Sequence, residues 1–246
     1  MADGPATTRL FSDLQAAAHI WFCNPLQIHD EEKLSAYLSV LSEQEFDRYH
    51  RFYFDKDKHS YLVSHALLRY ALSKYVDVDA SQWQFSSNAH GKPELLSQPL
   101  KQAINFNLTH TDGLCACIIT LDKSCGIDAE NISRKNRFEA VAKRMFAEEE
   151  QQCLEMNNIE QQFFYYWTLR EAYVKALGTG LAGSSKAFYF DTDMKRMTAS
   201  IHHRNVQQPD DKNWYFRMYE PTQEHVLSVA IASHQTVRFQ ISELVP

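Results

Sequence analysis

Asp128 and Glu130 are separated by one residue in the strand-like run Gly126-Ile-Asp-Ala-Glu130. Strand alternation puts both carboxylates on one face. Two such acids repel unless one keeps its proton or a cation sits between them. A hard divalent ion such as Mg2+, which takes oxygen ligands and keeps waters, suits that place; a solvated strand edge is the plainer reading of the same pair. The run Trp167-Thr-Leu-Arg-Glu-Ala-Tyr-Val-Lys175 sets Glu171 and Lys175 four apart, neighbours on one helix face, with Trp167 a turn earlier on the same side. An ordinary surface ion pair has this spacing too. A tryptophan on that face implies partial burial, however, and a buried Glu–Lys pair needs a further partner. A metal together with a phosphate would satisfy both groups. Asn105-Phe-Asn-Leu-Thr109-His110 brings a hydroxyl and an imidazole to a strand end, able to donate to a phosphate or simply to cap a turn. Lys92, in the turn Gly91-Lys92-Pro93, is a rigidly presented cation.

Other signals fail on inspection. Gly178-Thr-Gly-Leu-Ala-Gly183 resembles a phosphate loop, but Ser184 stands where that motif needs lysine, and the stretch ends a helix instead of opening one. Glu148-Glu-Glu150 reads as a solvated helix start favoured by the dipole. His202-His203 falls in a polar stretch, 202–213, read as a hairpin loop. There is no G-x-S-x-G elbow.

The elements that must position these residues follow from pattern. His19–Phe22 reads as a strand. Ser42 is a helix N-cap with Glu45 three residues on, a capping box. A longer helix runs from about 56 to 75, with apolar residues at helical spacing. Trp83–Phe85, Ile104–Thr109 and Leu114–Leu121 read as strands, the second with strict alternation. Gly126–Glu130 is a further strand. Phe138–Met145, Ala147–Glu155 and Gln161–Leu177 read as helices, the last stopped by Gly178. Phe188–Phe190, Trp214–Phe216, Val226–Ala232 and Val237–Ile241 read as strands.

The chain has 246 residues, room for one large domain or two small ones at about 100–200 residues each. A net charge of −6 disfavours sequence-independent binding to a phosphate backbone, so no nucleic-acid partner is expected. The longest apolar stretch, Cys115–Leu121, is too short to span a bilayer, and the acidic, breaker-rich start is a poor secretory leader. Five cysteines, an odd number without CxxC, read as reduced and mostly buried thiols of a cytoplasmic protein. Cys115 and Cys117 lack partners at metal spacing. The two glycosylation sequons, at Asn107 and Asn131, have no bearing there.

A weak internal repeat runs through the chain. Arg51-Phe-Tyr-Phe and Arg144-Met-Phe-Ala each precede a long helix. His65-Ala-Leu-Leu-Arg-Tyr-Ala-Leu echoes Trp167-Thr-Leu-Arg-Glu-Ala-Tyr-Val, and Leu114-Cys-Ala-Cys-Ile echoes Leu227-Ser-Val-Ala-Ile. The repeat divides the chain into halves 1–123 and 124–246, the second carrying the metal residues.

Taken in order, Gly91-Lys-Pro93, Phe106-Asn-Leu-Thr-His110, Gly126-Ile-Asp-Ala-Glu130 and Trp167-Thr-Leu-Arg-Glu-Ala-Tyr-Val-Lys175-Ala-Leu-Gly178 resemble the 4′-phosphopantetheinyl transferases, the long surfactin-synthetase-activating type above all. Leu41–Phe52 is similar to that family's opening, and the resemblance spans about residues 19 to 185. It implies an α+β fold of two similar α/β halves related by a pseudo-twofold axis, with the active site in the cleft between them, and a monomer. It implies transfer of phosphopantetheine from coenzyme A to a serine of an acyl or peptidyl carrier protein, releasing adenosine 3′,5′-bisphosphate. Asp128, Glu130 and Glu171 would then hold Mg2+, and Lys175 would contact the phosphates. Glu171 would serve as base, with Glu150 as a second candidate. Arg51, Lys92, Pro93, Thr109 and His110 would bind coenzyme A. Arg170 replaces the usual lysine before Glu-Ala, and Ser60 and His65 stand where relatives carry arginine; Lys58, His59 or Arg48 could substitute. An acidic carrier would need a basic patch, for which Arg134, Lys135, Arg137, Lys143 and Arg144 are the candidate. Two other readings fit the same residues. One is an Mg-dependent, nuclease-like phosphodiesterase. The other is a non-catalytic module that binds coenzyme A or a carrier.

Overall fold

A computed structural model describes residues 6–96, 102–133, 138–155, 159–179, 186–204 and 213–246. The chain folds as two compact units, Met1–Asp122 with Val237–Pro246, and Lys123–Thr236.

The first unit opens with helix α1 (Ala6–Asp13) and strand β1 (Ala17–Cys23), then α2 (Glu31–Ser39), α3 (Glu43–Arg51) and the long α4 (Asp55–Leu72). The sequence pattern missed α1 and α2; α2 is nevertheless capped by Asp30, whose side chain accepts from Glu32 and Lys33 N–H. The capping box of α3 forms as read: Glu45 N–H donates to Ser42 Oγ, and Ser42 N–H donates to Glu45 Oε2. A hairpin, β2 (Phe85–Ser87) and β3 (Pro93–Leu95), precedes β4 (Ile104–Thr111) and β5 (Leu114–Leu121). The main sheet runs β11-β1-β5-β4, where β11 is Arg238–Glu243. β11 lies parallel to β1, with Ala17 opposite Arg238. The last ten residues therefore belong with the first unit, although in sequence they follow the second. The core lies between α4 and one face of the sheet, with Leu62, Ala66, Leu67, Ala71, Phe106, Cys117 and Ile119 packed together.

The second unit runs β6 (Cys125–Asn131), α5 (Phe138–Met145), α6 (Glu148–Glu155), α7 (Ile159–Leu177), β7 (Phe188–Asp193), β8 (Thr198–His203), β9 (Asn213–Thr222) and β10 (His225–Ser233). Its sheet has the order β6-β10-β9-β8-β7. Its core joins Phe163, Phe164, Leu169, Ala172 and Val174 of α7 to Phe190, Phe216, Val226 and Ala230. Gly178, at φ +70°, closes α7, and its N–H donates to Val174 O. His202 and His203, expected in a loop, lie on β8, where His202 stacks on Tyr189. Residues 205–212 of that loop, the glycine-rich stretch after Thr179, and Arg134, Lys135 and Arg137 fall outside the described residues.

Each unit presents the same order of elements. A strand leads to three helices ending in the longest, then a hairpin, then two antiparallel strands, the last of which pairs with the first strand. The duplication has its own register in the long helices. A glutamate at the third position of the preceding helix meets a buried arginine in both units, Glu45 with Arg69 and Glu150 with Arg170. This matches Leu68-Arg-Tyr-Ala-Leu-Ser-Lys74 to Leu169-Arg-Glu-Ala-Tyr-Val-Lys175 and shifts the sequence echo, which had not aligned the two arginines. No disulfide links the five cysteines; Cys153 is exposed and the other four are buried. No helix among the described residues is long and apolar enough to cross a membrane.

Candidate active site

In β6, alternation turns Gly126, Asp128 and Glu130 to the side on which α7 packs. Gly126 is required there. A Cβ at this position would stand 2.0 Å from Ala172 O and 2.5 Å from Ala176 N, so only glycine lets α7 settle this close to the strand. The close approach brings Lys175 to Asp128. Its Nζ donates to Asp128 Oδ1 at 2.7 Å and to Ile127 O at 3.1 Å. Asp128 is 7% exposed. Glu171, one turn earlier, is largely buried; burial first, then the charges of Asp128 and Glu130, push its carboxyl up to about 7, against the pull of Lys175. Trp167 stacks on Phe163 at 5.9 Å and closes the apolar side of the helix face. Sequence spacing gave Asp128 with Glu130 and Glu171 with Lys175 as two separate pairs, which the family resemblance joined, and β6 and α7 bring the two pairs together.

The donor set fits a hard divalent cation. It offers three carboxylates and no sulfur, and burial, with the charges of Asp128 and Glu130 behind it, raises one of them, Glu171, to about 7. Among the described residues, no three His, Cys, Asp or Glu side chains are gathered into a ready coordination shell. Lys175 is the counter-ion of Asp128.

Glu150 has a different place. It is fully buried at the start of α6. Its Oε2 accepts from Ala147 N (3.0 Å) and from Nε (3.1 Å) and Nη2 (2.5 Å) of Arg170, and its Oε1 accepts from Phe190 N (3.0 Å). Arg170 also donates to Phe188 O at 3.0 Å and lies over the Phe188 ring. Both oxygens of Glu150 are thus occupied by internal donors and screened from solvent. This geometry suits a structural anion and leaves no route to a substrate proton.

The first unit contains a cavity of about 660 Å3. Arg48 and Arg51 of α3, Tyr61 and His65 of α4, Phe85 of β2 and Pro93 of β3 are among its lining residues. Of the coenzyme A candidates, Arg51 and Pro93 are in this lining, and Arg48 joins them. Sequence reading did not single out Tyr61 or Phe85. His65 Nδ1 bonds to Glu45 Oε1 at 2.8 Å and its ring packs on Tyr61, so it serves the wall of the cavity. Lys92 sits in the hairpin turn, where Asn88 Oδ1 accepts from Lys92 N–H and His90 N–H and Gly91 adopts φ +82°. Thr109 and His110 are not brought together. They are successive residues of β4 and turn to opposite faces, Thr109 buried and His110 exposed.

A duplicated α+β chain with a carboxylate–lysine cluster on one helix and strand, and an arginine-lined cavity in the other unit, belongs to the 4′-phosphopantetheinyl transferase superfamily. The superfamily profile matches residues 124–230, and that of the 4′-phosphopantetheinyl transferase N-terminal region matches residues 29–120. The 4′-phosphopantetheinyl transferase HetI of Nostoc sp. is 34% identical over 181 residues, 72% of this chain and 74% of that protein. A 4′-phosphopantetheinyl transferase of Bacillus subtilis is 27% identical over 217 residues, 87% of this chain and 90% of that one. The 4′-phosphopantetheinyl transferase Sfp of Bacillus subtilis is 28% identical over 166 residues, 66% and 70% of the respective chains.

Proposed function

We propose that this enzyme moves the 4′-phosphopantetheine group of coenzyme A to a serine of an acyl or peptidyl carrier protein, acting as a monomer in the cytoplasm. The carrier serine Oγ bonds to the phosphorus on the pantetheine side of the pyrophosphate. The bridging oxygen leaves with adenosine 3′,5′-bisphosphate, and the serine proton passes to a base. One observation carries this reading: Glu171 and Lys175 stand on the helix face that α7 presents to Asp128, beside Glu130.

Asp128, Glu130 and Glu171 are the residues that would hold Mg2+, which when bound supplies positive charge to a pyrophosphate gaining negative charge. Lys175 has a mobile ammonium with three donors, and Asp128 holds it at the edge of the acid cluster. It turns from Asp128 to the phosphate oxygens when these arrive. Glu171 is our choice for the base, because it stands on the helix face that carries Lys175 and is turned to Asp128 and Glu130, where the pyrophosphate would sit. Arg48 and Arg51 supply fixed positive charge to the nucleotide phosphates from the rim of the cavity, and Phe85 and Pro93 supply apolar walls for a base. Lys92 and His110, outside this lining, are further candidates for the remaining phosphates, whereas Thr109, buried on the opposite face of β4 from His110, is the weakest of the set.

The test is to incubate the chain with coenzyme A, Mg2+ and apo-carrier proteins and to weigh the carriers. A gain of one phosphopantetheine group is expected. No gain across fatty-acid, polyketide and peptide carriers overturns the assignment. Asp128→Ala is expected to lower the transfer rate by about 100-fold or more while keeping the circular-dichroism spectrum, since a metal site is worth several kcal/mol to such a step.

A further inference from the structure

Thr168 and Ser228 are both fully buried, and their hydroxyl oxygens stand 2.7 Å apart. Thr168 precedes Glu171 by three residues and Lys175 by seven on α7, so the three share one helix face. Ser228 lies on β10 directly opposite Asp128 in the β6–β10 ladder, flanked by Val226 and Ala230, which pack into the core under α7. The hydroxyl pair therefore joins the helix that carries Glu171 and Lys175 to the register partner of Asp128.

We infer that Thr168 and Ser228 are positioning residues that fix the slide and rotation of α7 over β6, and so the spacing of the acidic cluster. This rests on the metal reading given above. Among the points where α7 meets β6 and β10, the Gly126 contact at Ala172 and Ala176 and the Lys175 bonds to Asp128 and Ile127 O hold its C-terminal part, and the Thr168–Ser228 bond holds it about a turn earlier. Apolar packing alone does not choose between neighbouring registers this sharply, because it is non-directional. A buried hydroxyl pair does choose, since separating it strands both groups.

The pair has two proton arrangements. Thr168 Oγ1 lies 2.8 Å from Phe164 O and 3.2 Å from Tyr165 O. When Thr168 donates back to the helix, Ser228 donates to Thr168. When Thr168 donates to Ser228, Ser228 keeps its own hydrogen and turns it away from Thr168. Partners behind the metal ligands commonly tune affinity in this way.

The experiment uses the full chain and the variants Thr168→Val, Ser228→Ala, Thr168→Ser and Asp128→Ala. Mn2+ binding is measured by electron paramagnetic resonance, alongside thermal unfolding and the split of kcat against KM for coenzyme A. Thr168→Val and Ser228→Ala are expected to bind Mn2+ about tenfold more weakly, with lower kcat and unchanged KM, and Thr168→Ser is expected to behave as the parent. Unchanged Mn2+ affinity in both variants overturns the inference, even if they melt earlier. If Thr168→Val does not fold, Ser228→Ala, which removes one oxygen, decides alone. A parent that binds Mn2+ no better than Asp128→Ala overturns the metal reading itself, and this inference with it.

Discussion

Glu150 accepts from two nitrogens of Arg170, and Glu45 accepts from Nη2 of Arg69 at the matching place in the other unit. In each unit the glutamate also caps its own helix, accepting from the N–H three residues back. In each, the arginine donates onward to backbone carbonyls of the following segment, Ala80 and Trp83 or Phe188. One motif thus ties a helix start, the C-terminal half of the longest helix and the chain beyond it.

Breaking one half of such a buried pair leaves a bare charge. Glu150→Gln is expected to destabilise the protein by about 3–5 kcal/mol, read as a lower midpoint in denaturant. Because Glu150 touches only internal donors, the pH profile of transfer per folded molecule should not move. A lost acidic limb in that profile would return Glu150 to the chemistry.

Glu45 gives the pH dependence. Burial alone would raise its carboxyl, but His65, Arg69 and the Ser42 N–H outweigh burial and hold it down to about 2 against 4.5 for an ordinary glutamate. An acid lowered on folding stabilises the protein above its unfolded value and loses that contribution as pH falls through the folded value. The parent should therefore exceed Glu45→Gln in stability by a margin that is full above pH 4.5 and fades toward pH 2. The part that titrates is about 3 kcal/mol. Unfolding free energies of both proteins across this range test it; a difference independent of pH contradicts the assignment.

Gly126→Ala pushes a methyl into the backbone of α7 at Ala172 and Ala176. Relief requires the helix to lift, at a cost of about 1–3 kcal/mol. Transfer should fall further than stability, because Lys175 and Glu171 ride on the part that moves. Thermal unfolding compared with kcat checks this.

Arg51→Ala removes a charge from the rim of the first unit's cavity. KM for coenzyme A should rise about 10-fold or more with kcat nearly unchanged, as expected for a lost charge-assisted contact worth about 1.5–3 kcal/mol. Steady-state kinetics at varied coenzyme A decide it.

Much of the candidate site was legible because its logic is local. The spacing of Asp128 and Glu130 on a strand, and of Glu171 and Lys175 on a helix, fixes which side chains share a face. The same logic, applied strictly, separates Thr109 from His110 on β4. Thr168 and Ser228 were not legible, since a hydroxyl pair between α7 and β10 has no sequence signature. β8 escaped notice because Ala199 and Ile201 are its only apolar residues, an alternation too short to stand out in a polar stretch. The repeat was visible, but its register needed the two buried arginines.

The strand β11 has a consequence for how the molecule is made. The first unit's sheet is finished by residues 238–243, so all of the second unit is synthesised between two parts of the first. On the ribosome, Lys123–Thr236 can collapse around its own core while β1 still waits for its parallel neighbour. The half that is translated first is the half completed last, and a nascent chain stopped before Arg238 leaves the β1 edge open.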